Sequence, residues 1–95
     1  MIRVHFRRKA QDDLLNIWRF TKRRWGAAQA EAYITTIRAA VTVIATDPRA
    51  GRPFEARPGY YRYAVASHVI FYRPGIEEIE VVRILYARMN FGEHL

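Results

Sequence analysis

Cysteine is absent from this chain, which excludes disulfides, thiolate metal sites and a thiol nucleophile and fits a reducing compartment. Long apolar runs are missing too. The longest fall far short of a membrane-spanning helix, and the opening Met1-Ile2-Arg3-Val4-His5-Phe6 is too short and too charged for a secretory signal. No His/Asp/Glu group has metal spacing, and neither a Gly-rich phosphate loop nor a nucleophile elbow is present. Repeats, low-complexity stretches and linkers are also lacking. The expectation is one soluble, cytoplasmic domain, 1–95, with no metal, cofactor or membrane partner. A chain of 95 residues of this kind buries something over ~60% of its unfolded surface.

Lysine is scarce, with two against fourteen arginines, and nine acids leave a net charge of +7. Such a surplus favours nucleic acid or an acidic protein partner, protein more than nucleic acid. The plainer alternative is that an arginine- and alanine-rich chain reflects genomic base composition.

Ile2, Val4 and Phe6 alternate with Arg3 and His5, as in a short strand with one covered face. From Arg8 to Trp25 the period becomes helical, with Ala10, Leu14, Ile17, Trp18, Thr21 and Trp25 on one face and both tryptophans expected in the core. Asp12 and Asp13 early, and Arg19, Lys22, Arg23 and Arg24 late, complement the helix dipole. Gly26 stops this helix with a left-handed residue. A second helix, Ala27 to Thr46, carries the stripe Ala30, Tyr33, Ile34, Ile37, Val41 and Ile44. Ala27, Ala28, Ala32, Ala39 and Ala40 are expected to let the first helix approach closely. So short a connection requires an antiparallel hairpin, and Asp47-Pro48 ends it. Residues 48–59 read as one long loop, punctuated by proline and glycine and carrying Arg49, Arg52 and Arg57.

Tyr61, Tyr63 and Val65 then alternate with Arg62, Ala64 and Ala66, a strand that turns at Ala66-Ser67 into the apolar strand His68–Arg73. Pro74-Gly75 is the next turn. The stretch Glu78 to Met89 follows, apolar on both faces between Val81 and Tyr86, as an interior strand requires. Arg83 interrupts it. A guanidinium there is tied to Glu80 or a backbone carbonyl, or it marks an open sheet face where a partner docks. The tail to Leu95 is expected to drape over the sheet end. The amphipathic helices must cover one sheet face, giving a two-layer α+β domain, β-α-α-β-β-β, with the hairpin on one face of a mainly antiparallel sheet.

Five fragments in this order carry a family resemblance: Ala10-x-x-Asp13-Leu14-x-x-Ile17, Trp25-Gly26-x-x-Gln29-Ala30, Asp47-Pro48-x-x-Gly51-Arg52, His68-x-Ile70-x-Tyr72-Arg73 and Val82-Arg83-Ile84-Leu85-x-x-Arg88-Met89, ending in His94-Leu95. Over essentially its whole length the chain resembles ParE-type toxins of the RelE/ParE superfamily. The resemblance implies a toxin of a type II toxin–antitoxin module that poisons DNA gyrase. It also implies a ParD-like antitoxin whose C-terminal segment wraps the toxin, in a hetero-oligomer that meets operator DNA through the antitoxin. RelE-type relatives instead cleave mRNA on the ribosome. Two positions depart from the family pattern. Arg7 and Arg8 stand where a helix-capping Ser is frequent, and Tyr86 stands where a histidine is usual.

The two activities need different groups. Attack by a 2′-hydroxyl requires a base, an acid and cations for the phosphorane. Lys9 and Lys22 lie outside the sheet, so a ribonuclease would draw on Arg62, Arg73 and Arg83 with Tyr86 and His94 for proton transfer. Arginine stays protonated and is a poor base. Adjacent Asp12 and Asp13 diverge around a helix and cannot act as a pair. Inhibition by binding is therefore the expectation, with no catalytic residue. The partner-binding candidates are Arg73, Arg83, Arg88, Met89, Phe91, His94, Leu95 and Trp18.

Overall fold

The computed structural model describes residues 2–89 and 91–95. Strand β1 (Arg3–Phe6) leads into helices α1 (Arg8–Trp25) and α2 (Ala27–Thr46), followed by β2 (Arg52–Pro53), β3 (Tyr61–Val65), β4 (His68–Pro74), β5 (Glu78–Tyr86) and a 3₁₀ turn at Phe91–Glu93. The sheet order is β1-β5-β4-β3-β2. Only β1 against β5 is parallel. The hairpin covers one face, as expected. Its core joins Ala10, Ile17, Ile37, Val41 and Ile44 to Ile70, Tyr72, Ile79, Val81 and Ile84 of the sheet. Among the described residues no helix is long and apolar enough to cross a membrane.

The helix boundaries follow local chemistry. Asp47 is extended (φ −136°, ψ 95°) before Pro48. Gly26 is the sole residue between the helices, and its N–H donates to the Lys22 carbonyl at 2.9 Å. Its φ of +94° is positive, but ψ of 168° lies outside the left-handed helical region expected for it, in a zone open to glycine alone. At the start of α1, Arg7 makes no side-chain cap and the first turn holds no acid. Asp12 and Asp13 lie a turn too late for the dipole role. Asp12 pairs loosely with Arg8 at 3.6 Å, while Asp13 turns to the sheet.

Three expectations about packing fail. Trp25 is 66% exposed, because the last turn of α1 leads into the bend at Gly26. Trp18 is half-buried, one position off the buried line Ala10, Ile17 and Thr21. Of the small residues of α2, Ala30 and Ala40 are buried, whereas Ala27, Ala28, Ala32 and Ala39 face solvent. Within the 48–59 loop, the two-residue β2 pairs with β3. Its Pro53 is tolerated because β2 is an edge strand.

The decisive irregularity is a bulge in β5. Phe71 stands opposite Arg83 and Tyr72 opposite Val81, so Val82 is an extra residue. Before it, Ile79 and Val81 face the helices. Had the alternation continued, Arg83 would enter the helix-side core. The bulge resets the phase, so that Ile84 takes the inward place and Arg83 and Leu85 turn to the other face.

Candidate partner-binding surfaces

Arg83 is satisfied internally, by a backbone carbonyl as expected and by the Asp13 carboxylate in place of Glu80. Its Nε and Nη2 donate to the two Asp13 carboxylate oxygens, each at 2.8 Å, and its Nη1 donates to the His94 carbonyl at 2.9 Å. Asp13 Oδ2 also accepts the Ile84 backbone N–H at 2.9 Å, closing the edge of β5 that β1 leaves uncovered. One ion pair thus ties α1, β5 and the tail. Hydrogen bonding to Asp13 raises the Arg83 pKa further, against the opposing effect of burial. Glu80 is taken by Arg7, whose Nη2 donates to Oε1 at 2.8 Å. That contact holds the Glu80 carboxyl below its ordinary range.

The sheet face opposite the helices is partly closed. Val69, Phe71 and Leu85 form a second small core under Phe54, Phe91 and Leu95. The Phe91 ring meets Phe71 edge-on at 4.7 Å between centroids, and Arg57 donates to the Leu95 carbonyl. The tail therefore lies against the sheet, and Phe91 and Leu95 are packing residues as well as interface candidates. His94 is half-buried beside them. Arg88 and Met89 remain exposed, and Arg73 is exposed with its guanidinium 5.7 Å from the Tyr60 ring centre.

The five groups considered for ribonuclease chemistry are not gathered at one place, although Arg83 touches the His94 carbonyl. Register places Arg62, Arg73 and Arg83 on the face away from the helices, where Arg83 is already engaged. Tyr86 pairs with His68 and lies on the helix side, its ring 5.8 Å from that of His68. Among the described residues no three His, Asp or Glu groups gather as a metal site would require.

Two of the concavities on the helix side are lined by aromatic side chains. One, of about 800 Å³, runs between the hairpin and β1 and includes Leu14, Leu15, Trp18, Ile34 and Arg38. The ammonium of Lys22 sits 4.9 Å from the Trp18 ring centre. The other, of about 710 Å³, is an aromatic cup lined by Phe20, Trp25, Tyr33, His68, Tyr86 and Arg24 among others. At its base the Ser67 N–H donates to the Tyr33 hydroxyl at 3.1 Å, and that hydroxyl lies 2.6 Å from His68 Nδ1. With Tyr33 donating to Nδ1 of a neutral imidazole, the hydroxyl both gives and accepts a hydrogen bond, and burial pushes the His68 pKa down. The sequence carried no sign of this cup. Phe20 is off the apolar stripe, and His68 and Tyr33 are 35 positions apart.

Comparison with known proteins agrees with this architecture. Residues 4–91 match the family model described as ParE toxin of type II toxin-antitoxin system, parDE. The chain is 43% identical to a Caulobacter vibrioides protein named Toxin ParE1 over 89 residues, 93% of this chain and 92% of that one. It is also 43% identical to a Mycobacterium tuberculosis protein of the same name over 88 residues, 90% of each. A solved structure from the chromosomal ParDE TA system of P. aeruginosa superposes with a TM-score of 0.81 at 25% identity, covering 93% of this chain and 98% of that one. A YoeB/ParE toxin from Agrobacterium tumefaciens shares the fold alone, with a TM-score of 0.65 at 19% identity over 90% of this chain and 98% of the other.

Proposed function

The chain belongs to the ParE toxin family of type II toxin–antitoxin systems, and from that premise we propose that it inhibits DNA gyrase in the cytoplasm by binding, without turnover, until a ParD-like antitoxin neutralises it. One observation carries the choice of binding over RNA cleavage: the two proton-transfer candidates are separated by the sheet, Tyr86 on the helix side and His94 in the tail against the other face. Tyr86 lies with the helices, while Arg62 and Arg73 lie on the other face and Arg83 is committed to Asp13. An in-line attack needs its base, acid and phosphorane donors around one phosphate. Surface cations and apolar grooves suit a protein partner instead.

The antitoxin segment this reading requires is acidic and amphipathic. Its apolar anchors fit the groove between the hairpin and β1, where Leu15 and Trp18 are accessible and Arg38 supplies charge. A hetero-oligomer of toxin and antitoxin follows, meeting operator DNA through the antitoxin. Arg88 and Met89, exposed beyond β5, are the residues we assign to the gyrase contact.

Expression without antitoxin tests the proposal. The expected result is loss of gyrase supercoiling with transcripts intact. Ribosome-associated mRNA cleavage that disappears on His94→Ala or Tyr86→Phe, with gyrase unaffected, overturns it.

A further inference from the structure

Arg52 and Arg62 stand directly opposite each other in the β2–β3 register. Like charges in cross-strand register destabilise a sheet, and among the described residues neither guanidinium has a hydrogen-bond or carboxylate partner. The arrangement is nevertheless held firmly. The Gly51 N–H donates to the Tyr72 hydroxyl at 3.0 Å, and that hydroxyl donates to the Pro48 carbonyl at 2.8 Å. A Cβ at Gly51 would lie 2.5 Å from the Arg62 carbonyl oxygen and 2.7 Å from the Tyr72 hydroxyl. The chain is thus pressed against β3 immediately before Arg52, and the two cations cannot separate by moving the backbone. Both side chains border a concavity of about 380 Å³ whose other walls include Ala64, Val69, Ala87 and Phe91.

We propose that Arg52 and Arg62 form a seat for one carboxylate of an acidic polypeptide, with the neighbouring apolar side chain of that polypeptide in the adjoining concavity. A carboxylate between two guanidinia turns a repulsive pair into two charge-assisted hydrogen-bond donors. A phosphodiester matches the cations but not the walls. Those are mainly small and aliphatic. Of the two aromatic residues at the concavity, Phe91 has its ring engaged with Phe71 and Tyr63 packs against the helix-side core, so neither is set out as a stacking platform for a base. The seat rests on the reading of an acidic polypeptide partner, but it is testable without that partner.

The purified chain is titrated with a short fluorescent peptide of glutamates interspersed with leucine. Arg52→Ala and Arg62→Ala should each weaken binding about ten-fold. Arg19→Ala, the same loss of charge on an exposed position of α1, should change it less than about two-fold. In chloride buffer without peptide, Arg62→Ala should raise the melting temperature by about 1–5 °C, as relief of repulsion requires. An equal loss on Arg19→Ala, or a lowered melting temperature in both Arg52→Ala and Arg62→Ala, overturns the seat. An oligoribonucleotide of matched charge that binds more tightly, with the same dependence on Arg52 and Arg62, overturns its assignment to a carboxylate. Failure of the toxin assay leaves the peptide result standing, and failure here leaves the toxin assay standing.

Discussion

Removing the Arg83 guanidinium would strip Asp13 of its counter-charge where both side chains are largely screened from water, at 16% and 12% exposure. Breaking one side of such a pair costs about 3 kcal/mol. Arg83→Ala should therefore lower urea-unfolding stability by that amount. Arg83→Ala combined with Asp13→Asn should recover part of it, since no uncompensated charge remains. His68 sets a different dependence. Its folded pKa lies below the ordinary 6.5, so the unfolded chain takes up the proton first. The stability it contributes is present above that value and is lost as pH falls below it. Glu80 acts with the same sign further down, since its pKa is depressed below 4.5 by Arg7. Melting temperatures across pH should show both losses, with His68→Gln removing the upper and Glu80→Gln the lower. Asp13, Arg24, Tyr33 and Tyr86 face or surround His68 and should be left unchanged in that series.

Among the elements, the hairpin bend depends on one backbone conformation. A Cβ at Gly26 meets nothing within 4 Å, so Gly26→Ala isolates the cost of its φ/ψ, about 1–3 kcal/mol by denaturant titration. Helix periods, the pre-proline stop and the turn at Ala66-Ser67 were legible because each is governed by neighbours in sequence. Strand β2 was not, since two residues containing a proline carry no period. The tail is another tertiary element. Phe91→Ala removes the ring over Phe71 and should cost about 2 kcal/mol, less than a fully buried Phe because Phe91 is half-exposed. Hydrogen exchange in β4 and β5 should speed up with it.

At the scale of the molecule, the +7 charge acts on association. If the antitoxin segment is acidic, its association rate should fall about ten-fold or more between low and high salt, while dissociation from the apolar hairpin groove changes little. Stopped-flow mixing over a salt series measures this, and a rate indifferent to salt would remove steering from the account.

The sequence alone determined what depends on local period and composition: two amphipathic helices joined by one glycine, strands with one or two covered faces, a cationic surface and the absence of thiol chemistry. It also held the family fragments, because they fall on those same elements. Where Arg83 points was beyond it. The bulge at Val82 shifts the phase of β5, and the carboxylate waiting there belongs to Asp13, 70 positions earlier. Likewise Trp25 has core spacing and yet lies exposed. Burial is set by what packs above a residue, and only the assembled sheet and hairpin fix that.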